Sequence, residues 1–199
     1  MAKLLTNPAG LTCSQAMGLQ LRAVIIPVLN AMGLPYSSPQ AAALLLTTAW
    51  TEGLCFHRDQ LERATGKPGK PGPAYSVYQI ELPTFRKMAT KGGPEQWPDL
   101  MPQLRRFGLD WIAEDNPAWL LTCSEVGATI AARGLYWSDF WSRRKPLPQL
   151  DPDEGAKAAA YYIGTWRPAE ASRPDARKRF MAAWPEAVAL VRHLLGGPA

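Results

Sequence analysis

The stretch Ser38-Pro-Gln-Ala-Ala-Ala-Leu-Leu-Leu-Thr-Thr-Ala-Trp-Thr-Glu-Gly53 decides how this chain folds. Ser38 followed by Pro39 is a strong signal for a helix start, because serine caps the free N–H groups and proline suits the first turn. The helix is apolar on nearly all sides, which predicts a central position in the fold. It ends at Glu52-Gly53, so a carboxylate is placed where burial and the helix end both favour its protonated form.

Helical patterns dominate the rest of the chain. Apolar residues recur at helical spacing from 12 to 32, with Pro27 as an expected kink. Further helices are predicted at 117–133, with Gly134 as the stop, and at 153–163 and 174–195. The Gly/Pro-rich residues 57–75 predict a long loop, and 75–80 a short strand or extended segment. The predicted fold is therefore mostly α, of the α+β kind, with a small extended region after the central helix.

Length and composition set further bounds. The chain has 199 residues, 47% of them hydrophobic, and a net charge of +5. We expect one domain over 1–199, with 1–35 and 174–195 as helical additions to it. The positive charge suits an anionic partner such as a bacterial cell wall, although many ordinary proteins are as basic. Signatures of nucleic-acid-binding modules are absent from the sequence, so nucleic acid is an unlikely partner.

The sequence offers little for metal, redox or membrane chemistry. The three cysteines lack CxxC spacing, and the two histidines have no further ligand at metal spacing, so neither a metal nor a cofactor is expected. The N-terminal apolar stretch is too short for a signal peptide, and no apolar run is long enough to span a membrane. We therefore expect synthesis in a cytoplasm, with another route to any target outside it.

Three short motifs follow one another along the chain. They are Glu52-Gly53 at a helix end, Ser76-Val-Tyr-Gln-Ile80 after the loop, and Ala159-Ala-Tyr-Tyr-Ile-Gly164 on a late helix. Together they resemble the lysozyme-like superfamily, in particular its soluble lytic transglycosylase and goose-type lysozyme branch, in a form similar to proteins of tailed bacteriophages. That branch carries Glu-Ser, Gly-Leu-Met-Gln-Ile and Ala-Tyr-Asn-x-Gly. Departures from it stand at Gly53, Ser76, Tyr78 and Tyr162.

The resemblance implies a peptidoglycan-cleaving glycosidase. Glu52 would be the general acid that protonates the oxygen of the β-1,4 bond between N-acetylmuramic acid and N-acetylglucosamine. Gln79 would bind the sugar or hold Glu52, and Tyr161 would approach Glu52 from the late helix. Tyr78 and Trp50 are further candidates for binding or orienting the substrate. A buried ion pair of Glu52 with Arg58 or Arg63 is the structural alternative.

The number of carboxylates separates two mechanisms. A lytic transglycosylase needs one acid, whereas a hydrolase usually needs a second carboxylate at about 5 Å or at roughly 6.5–9.5 Å. Glu81 and Asp59 are the candidates for it, although Glu81 could instead cap the helix that follows and Asp59 could lie in a solvated turn. We favour one essential acid.

A different class of function also fits the sequence. The chain could be a structural or assembly protein of a virion that keeps a lysozyme-like fold without its activity, bound to other virion proteins or to itself. Trp137 and Trp141 are four residues apart and would form an exposed anchor for such contacts. An enzyme would act at the cell wall, either carried in the virion or released through the host membrane.

Overall fold

A computed structural model describes residues 10–55, 59–61, 71–93, 95–143, 146–168 and 170–196. These residues form ten α-helices and one three-stranded antiparallel sheet. The helices are α1 Cys13–Gln20, α2 Ile26–Met32, α3 Pro39–Gly53, α4 Leu82–Ala89, α5 Leu100–Arg106, α6 Asp110–Asp115, α7 Pro117–Cys123, α8 Glu125–Arg143, α9 Gly155–Trp166 and α10 Arg173–Leu195. The prediction of a mostly α protein with a small β region is confirmed.

The central helix begins where the sequence predicts. Ser38 is the N-cap of α3, and its hydroxyl accepts a hydrogen bond from the backbone N–H of Ala41 at 3.1 Å. Residues from Ala41 to Ala49 are all buried, and α10 and α9 pack against the helix. Because α3 is enclosed on nearly every side, the residues at its two ends are held in fixed surroundings.

The first predicted helix is interrupted before its proline. Between α1 and α2, Leu21–Ile25 forms a π-helical turn, and Pro27 follows in the first turn of α2. Proline has no N–H to donate and its ring clashes with the carbonyl four residues earlier, so a wider turn accommodates it. Buried side chains of both helices and of the turn between them, including Met17, Ile25 and Met32, belong to the same hydrophobic core as α3.

The extended region differs from the prediction. Part of the expected loop forms strands, β1 Asp59–Leu61 and β2 Pro71–Tyr75, while 56–58 and 62–70 lie outside the described residues. The predicted strand at 75–80 is instead a hairpin turn between β2 and β3 Ile80–Glu81, with Tyr75 paired to Ile80. These strands form because their backbones pair with one another in the sheet. Amino-acid composition does not predict such pairing.

Two further boundaries were predicted wrongly. The helix expected at 117–133 breaks at Ser124 into α7 and α8, and α8 runs through Gly134. A Cβ atom on Gly134 would lie 2.2 Å from Cε3 of Trp97, so this glycine allows the indole to pack closely against the helix.

None of the helices in the described part of the chain is long and apolar enough to cross a membrane.

Candidate active site

Glu52 lies in the last turn of α3, partly accessible at the surface. Burial is the main cause that raises the pKa of its carboxyl above the ordinary 4.5, while a hydrogen bond from Tyr162 and the positive charge of Arg179 act in the opposite direction. Arg58 and Arg63, the ion-pair partners considered from the sequence, lie outside the described residues. A carboxylic acid that is enclosed but reachable is suited to donate a proton.

The tyrosine that contacts Glu52 is Tyr162, whose hydroxyl donates to Oε1 of the carboxylate. Tyr161 was predicted to approach Glu52 from this helix, but the hydrogen bond comes from its neighbour. Neighbouring residues of a helix point about 100° apart, so the two rings face different elements. Tyr161 stacks on Tyr136 of α8, and its hydroxyl donates to the Tyr136 carbonyl oxygen at 3.4 Å.

Stacked rings hold Tyr162 in place. Its side chain is fully buried, with the ring 4.6 Å from that of Phe180 on α10 and at 17° to it. Trp166, one helical turn along α9, lies 6.4 Å away on the same helix face. A hydroxyl fixed by such packing can hold one carboxylate oxygen of Glu52 in a defined position.

The hairpin turn lies directly against the end of α3. A Cβ atom on Gly53 would be 2.7 Å from the carbonyl oxygen of Val77, so the two backbones touch here. Trp166 joins the third motif to the same turn, since its indole N–H donates to the Tyr78 carbonyl oxygen at 2.9 Å. All three motif segments therefore meet at one place.

Backbone strain is concentrated at this meeting point. Leu54 and Cys55 after α3, and Ser76 and Gln79 in the turn, have φ angles between 51° and 69°. Residues other than glycine rarely adopt this left-handed backbone conformation, which costs roughly 1–3 kcal/mol at each position. Residues in this conformation cluster at functional sites. Packing elsewhere in the molecule must hold them there.

The other predicted binding residues lie in different surroundings. Gln79 is partly exposed in the turn, and its Nε2 donates to the Ser76 carbonyl oxygen at 2.7 Å. Trp50, on α3, is partly buried against the core. Tyr78 is 0% exposed and its hydroxyl bonds Thr129 at 3.1 Å, so a direct contact with substrate is excluded and it supports the turn from the core.

The two candidates for a second carboxylate lie on opposite edges of the sheet. Glu81 is exposed at the end of β3 and takes the N-cap position of α4, although its side chain makes no capping bond. Asp59 pairs with Tyr75 in β1, and its side chain is not among those described. Since strands lie about 4.8 Å apart, the β2 strand separates them by roughly 10 Å.

A groove of about 780 Å³ runs between α9 and α10. Its floor includes Ile163 and Met181, and its rim carries the basic side chains of Arg173, Arg177 and Lys178. Glu52 does not line this groove. These three basic side chains are therefore a feature of the α10 surface, beside the helix that supplies Tyr162.

Comparison of this chain with known proteins gives no match. No protein-family model matches the chain, and no curated protein or solved structure matches it significantly. The sequence resemblance thus depends on its motif residues alone. Tyr162, Trp166 and Arg179, which the structure places around Glu52 and its tyrosine, were not predicted as site residues. Tyr162 and Trp166 are four apart on α9, and this spacing was the available signal for a shared face.

Proposed function

We propose that this protein is a peptidoglycan-cleaving glycosidase of the lysozyme-like kind, with Glu52 as its general acid. The observation that carries the proposal is the position of Glu52, a partly accessible carboxyl with a raised pKa, bonded to Tyr162 and adjacent to a strained turn. A protonated carboxyl can give its proton to the glycosidic oxygen between N-acetylmuramic acid and N-acetylglucosamine as the C–O bond breaks.

A one-acid mechanism fits this environment best. The described residues add no second carboxylate to the groups that shift the pKa of Glu52, whose neighbouring charge is the cationic Arg179. In the transglycosylase route, the 6-hydroxyl of the muramic residue attacks its own C1. Glu52, ionised by the first step, accepts the hydroxyl proton, and a 1,6-anhydro sugar results. Glu52 is thus regenerated without a water nucleophile.

Cell-wall lysis tests the proposal. Glu52→Gln keeps the shape and the hydrogen bond from Tyr162 but cannot donate an acidic proton, so we expect lysis of purified peptidoglycan to fall by about 10²–10⁴-fold. The matched control is Glu95→Gln, an exposed glutamate paired with Lys87, which should lyse as fast as the wild type. Turbidity measures the rate. Wild-type activity in Glu52→Gln would refute the assignment of Glu52.

The released muropeptides distinguish the two mechanisms. Transglycosylation leaves a 1,6-anhydro end, lighter by one water than the hydrolysed product, and mass spectrometry separates them. We expect the anhydro form. A hydrolysed end would require a water-activating base and would direct attention to Glu81 and Asp59.

Assembly of a virion is the second candidate function, and exposed tryptophans favour it. Trp111 on α6 is 61% exposed and Trp119 on α7 is 50% exposed, whereas the predicted anchor residue Trp137 is only 8% exposed and belongs to the core. The Trp141 side chain lies outside those described. Self-association that is lost in Trp111→Ser/Trp119→Ser, in a protein without lytic activity, would support assembly instead.

A further inference from the structure

Arg133, in the middle of α8, is a buried cation. Its residue is 1% exposed, and its Nε donates to the backbone carbonyl oxygen of Tyr36 at 2.7 Å. Nη1 of the same guanidinium is buried and has no hydrogen-bond partner. An arginine carries five donors in a planar fork, so part of this fork is free for another acceptor.

The positive charge of Arg133 is not balanced by a carboxylate among the described residues. The groups that act on it are the hydroxyls of Tyr36 and Tyr161, and the ring of Trp137 lies 5.3 Å from the guanidinium carbon. Burial lowers the pKa of Arg133 to about 10, so the side chain remains charged at neutral pH. A buried charge without a counter-ion is costly, and an anionic ligand would remove that cost.

A cavity of about 490 Å³ lies beside this arginine. Its lining includes the polar residues Arg133, Ser38 and Gln40 and the apolar residues Pro35, Trp137 and Leu147. Ser38 and Gln40 belong to the start of α3, whose backbone N–H groups and dipole favour negative charge. The buried arginine and the helix N-terminus therefore act on the same space with the same sign.

We propose that this cavity is a binding site for a small organic carboxylate. The guanidinium fork of Arg133 would bind the carboxylate, and Trp137 and Leu147 would contact a flat apolar body. One arginine balances one negative charge, which favours a monoanion over a dianionic phosphate ester. The site is separate from Glu52, because the 15 residues of α3 place it roughly 20 Å away at the other end of the helix.

Benzoate is the probe for this site, and benzamide is its uncharged counterpart. We expect benzoate to raise the melting temperature of the full chain in a saturable way and benzamide to bind far more weakly. Arg133→Met keeps an unbranched apolar stem but removes the charged guanidinium, and it should weaken benzoate binding roughly tenfold to hundredfold. Arg192→Met is the matched control, since Arg192 also donates to a backbone carbonyl oxygen, that of Leu150, but does not line this cavity.

A crystal soaked with 4-bromobenzoate gives a readout that needs no variant. We expect the anomalous signal of bromine inside the cavity, beside Trp137, and phenyl phosphate to bind more weakly than benzoate. Equal affinity of benzoate for wild type and folded Arg133→Met would overturn the proposal. So would the lack of any saturable shift up to about 10 mM benzoate, or bromine located only elsewhere. Cell-wall lysis is not part of this test, so the two proposals fail independently.

Discussion

At the scale of single residues, the environment of Glu52 combines an enclosed carboxyl with one well-held donor. Burial disfavours the ionised form, and the hydroxyl of Tyr162 partly offsets this by stabilising it. The balance of these two effects sets how far the pKa of Glu52 is raised. Tyr162 itself is positioned by its packing against Phe180 of α10.

Tyr162→Phe tests this balance. Because the lost hydrogen bond had favoured the ionised carboxylate, the pKa of Glu52 should rise further, and the alkaline limb of the pH profile of lysis should move to higher pH. Loss of orientation should also reduce the rate by about tenfold. Tyr161→Phe is the control, and its limb should not move. A shift of the limb to lower pH in Tyr162→Phe would contradict the assigned hydrogen bond.

Gly53→Ser introduces the residue that the resembled family carries at this position. Its Cβ would meet the Val77 carbonyl oxygen at 2.7 Å, so we expect the free energy of unfolding to fall by about 1–3 kcal/mol. In Gly18→Ala, the control within α1, the new Cβ meets no atom within 4 Å, and helix propensity should add up to about 1 kcal/mol. Urea unfolding measures both. Equal stability of Gly53→Ser and wild type would show that the turn can move away.

At the scale of elements, three contacts connect α3, the hairpin and α9. The Gly53 backbone touches the turn, Tyr162 bonds Glu52, and Trp166 bonds the Tyr78 carbonyl oxygen. Each contact joins residues far apart in the sequence. The three motifs therefore meet because of the way in which α3, the hairpin and α9 pack together.

Gly134 was predicted to end a helix, but it lies inside α8, where it packs against Trp97. Gly134→Ala should destabilise the protein by at least about 2 kcal/mol, because the new methyl would overlap the Trp97 ring. In a Trp97→Leu background the overlap is relieved, so the same alanine should cost little or stabilise the helix. A double-mutant cycle by urea unfolding measures the coupling between the two sites. Additive effects would exclude the steric explanation.

At the scale of the whole molecule, one hydrophobic core extends from Ala16 in α1 to Val191 in α10 and surrounds α3. This core supplies the free energy that holds Glu52 enclosed and the left-handed residues of the turn in place. Strained or desolvated groups at a site reduce global stability, so favourable packing elsewhere must offset their cost.

Global stability should therefore depend on pH through Glu52. Its folded pKa is raised above the unfolded value near 4.5, so the native state holds the proton more tightly, and stability is lost as pH rises from that value through the folded pKa. Glu52→Gln removes this dependence. We expect its stability gain over wild type to grow with pH across that window in urea unfolding, with Glu95→Gln unchanged. A gain that does not vary with pH would contradict the raised pKa.

Local chemistry determined a large part of this protein from the sequence alone. Caps and prolines act within one helical turn, so the start of α3 at Ser38, the interruption before Pro27 and the mostly α class were all predictable. The enclosure of Glu52 followed from the apolar character of its own helix. These features depend on residues that are neighbours in the chain.

Only the tertiary structure decided which residues meet. Tyr162 bonds Glu52 across 110 positions, Gly134 accommodates Trp97, and Arg133 is buried beside a cavity with no carboxylate partner in the described part of the chain. Each outcome depends on the rotation of one helix against another, where a shift of one residue turns a side chain by about 100°. Sequence patterns give the face of a helix, whereas packing selects the partner.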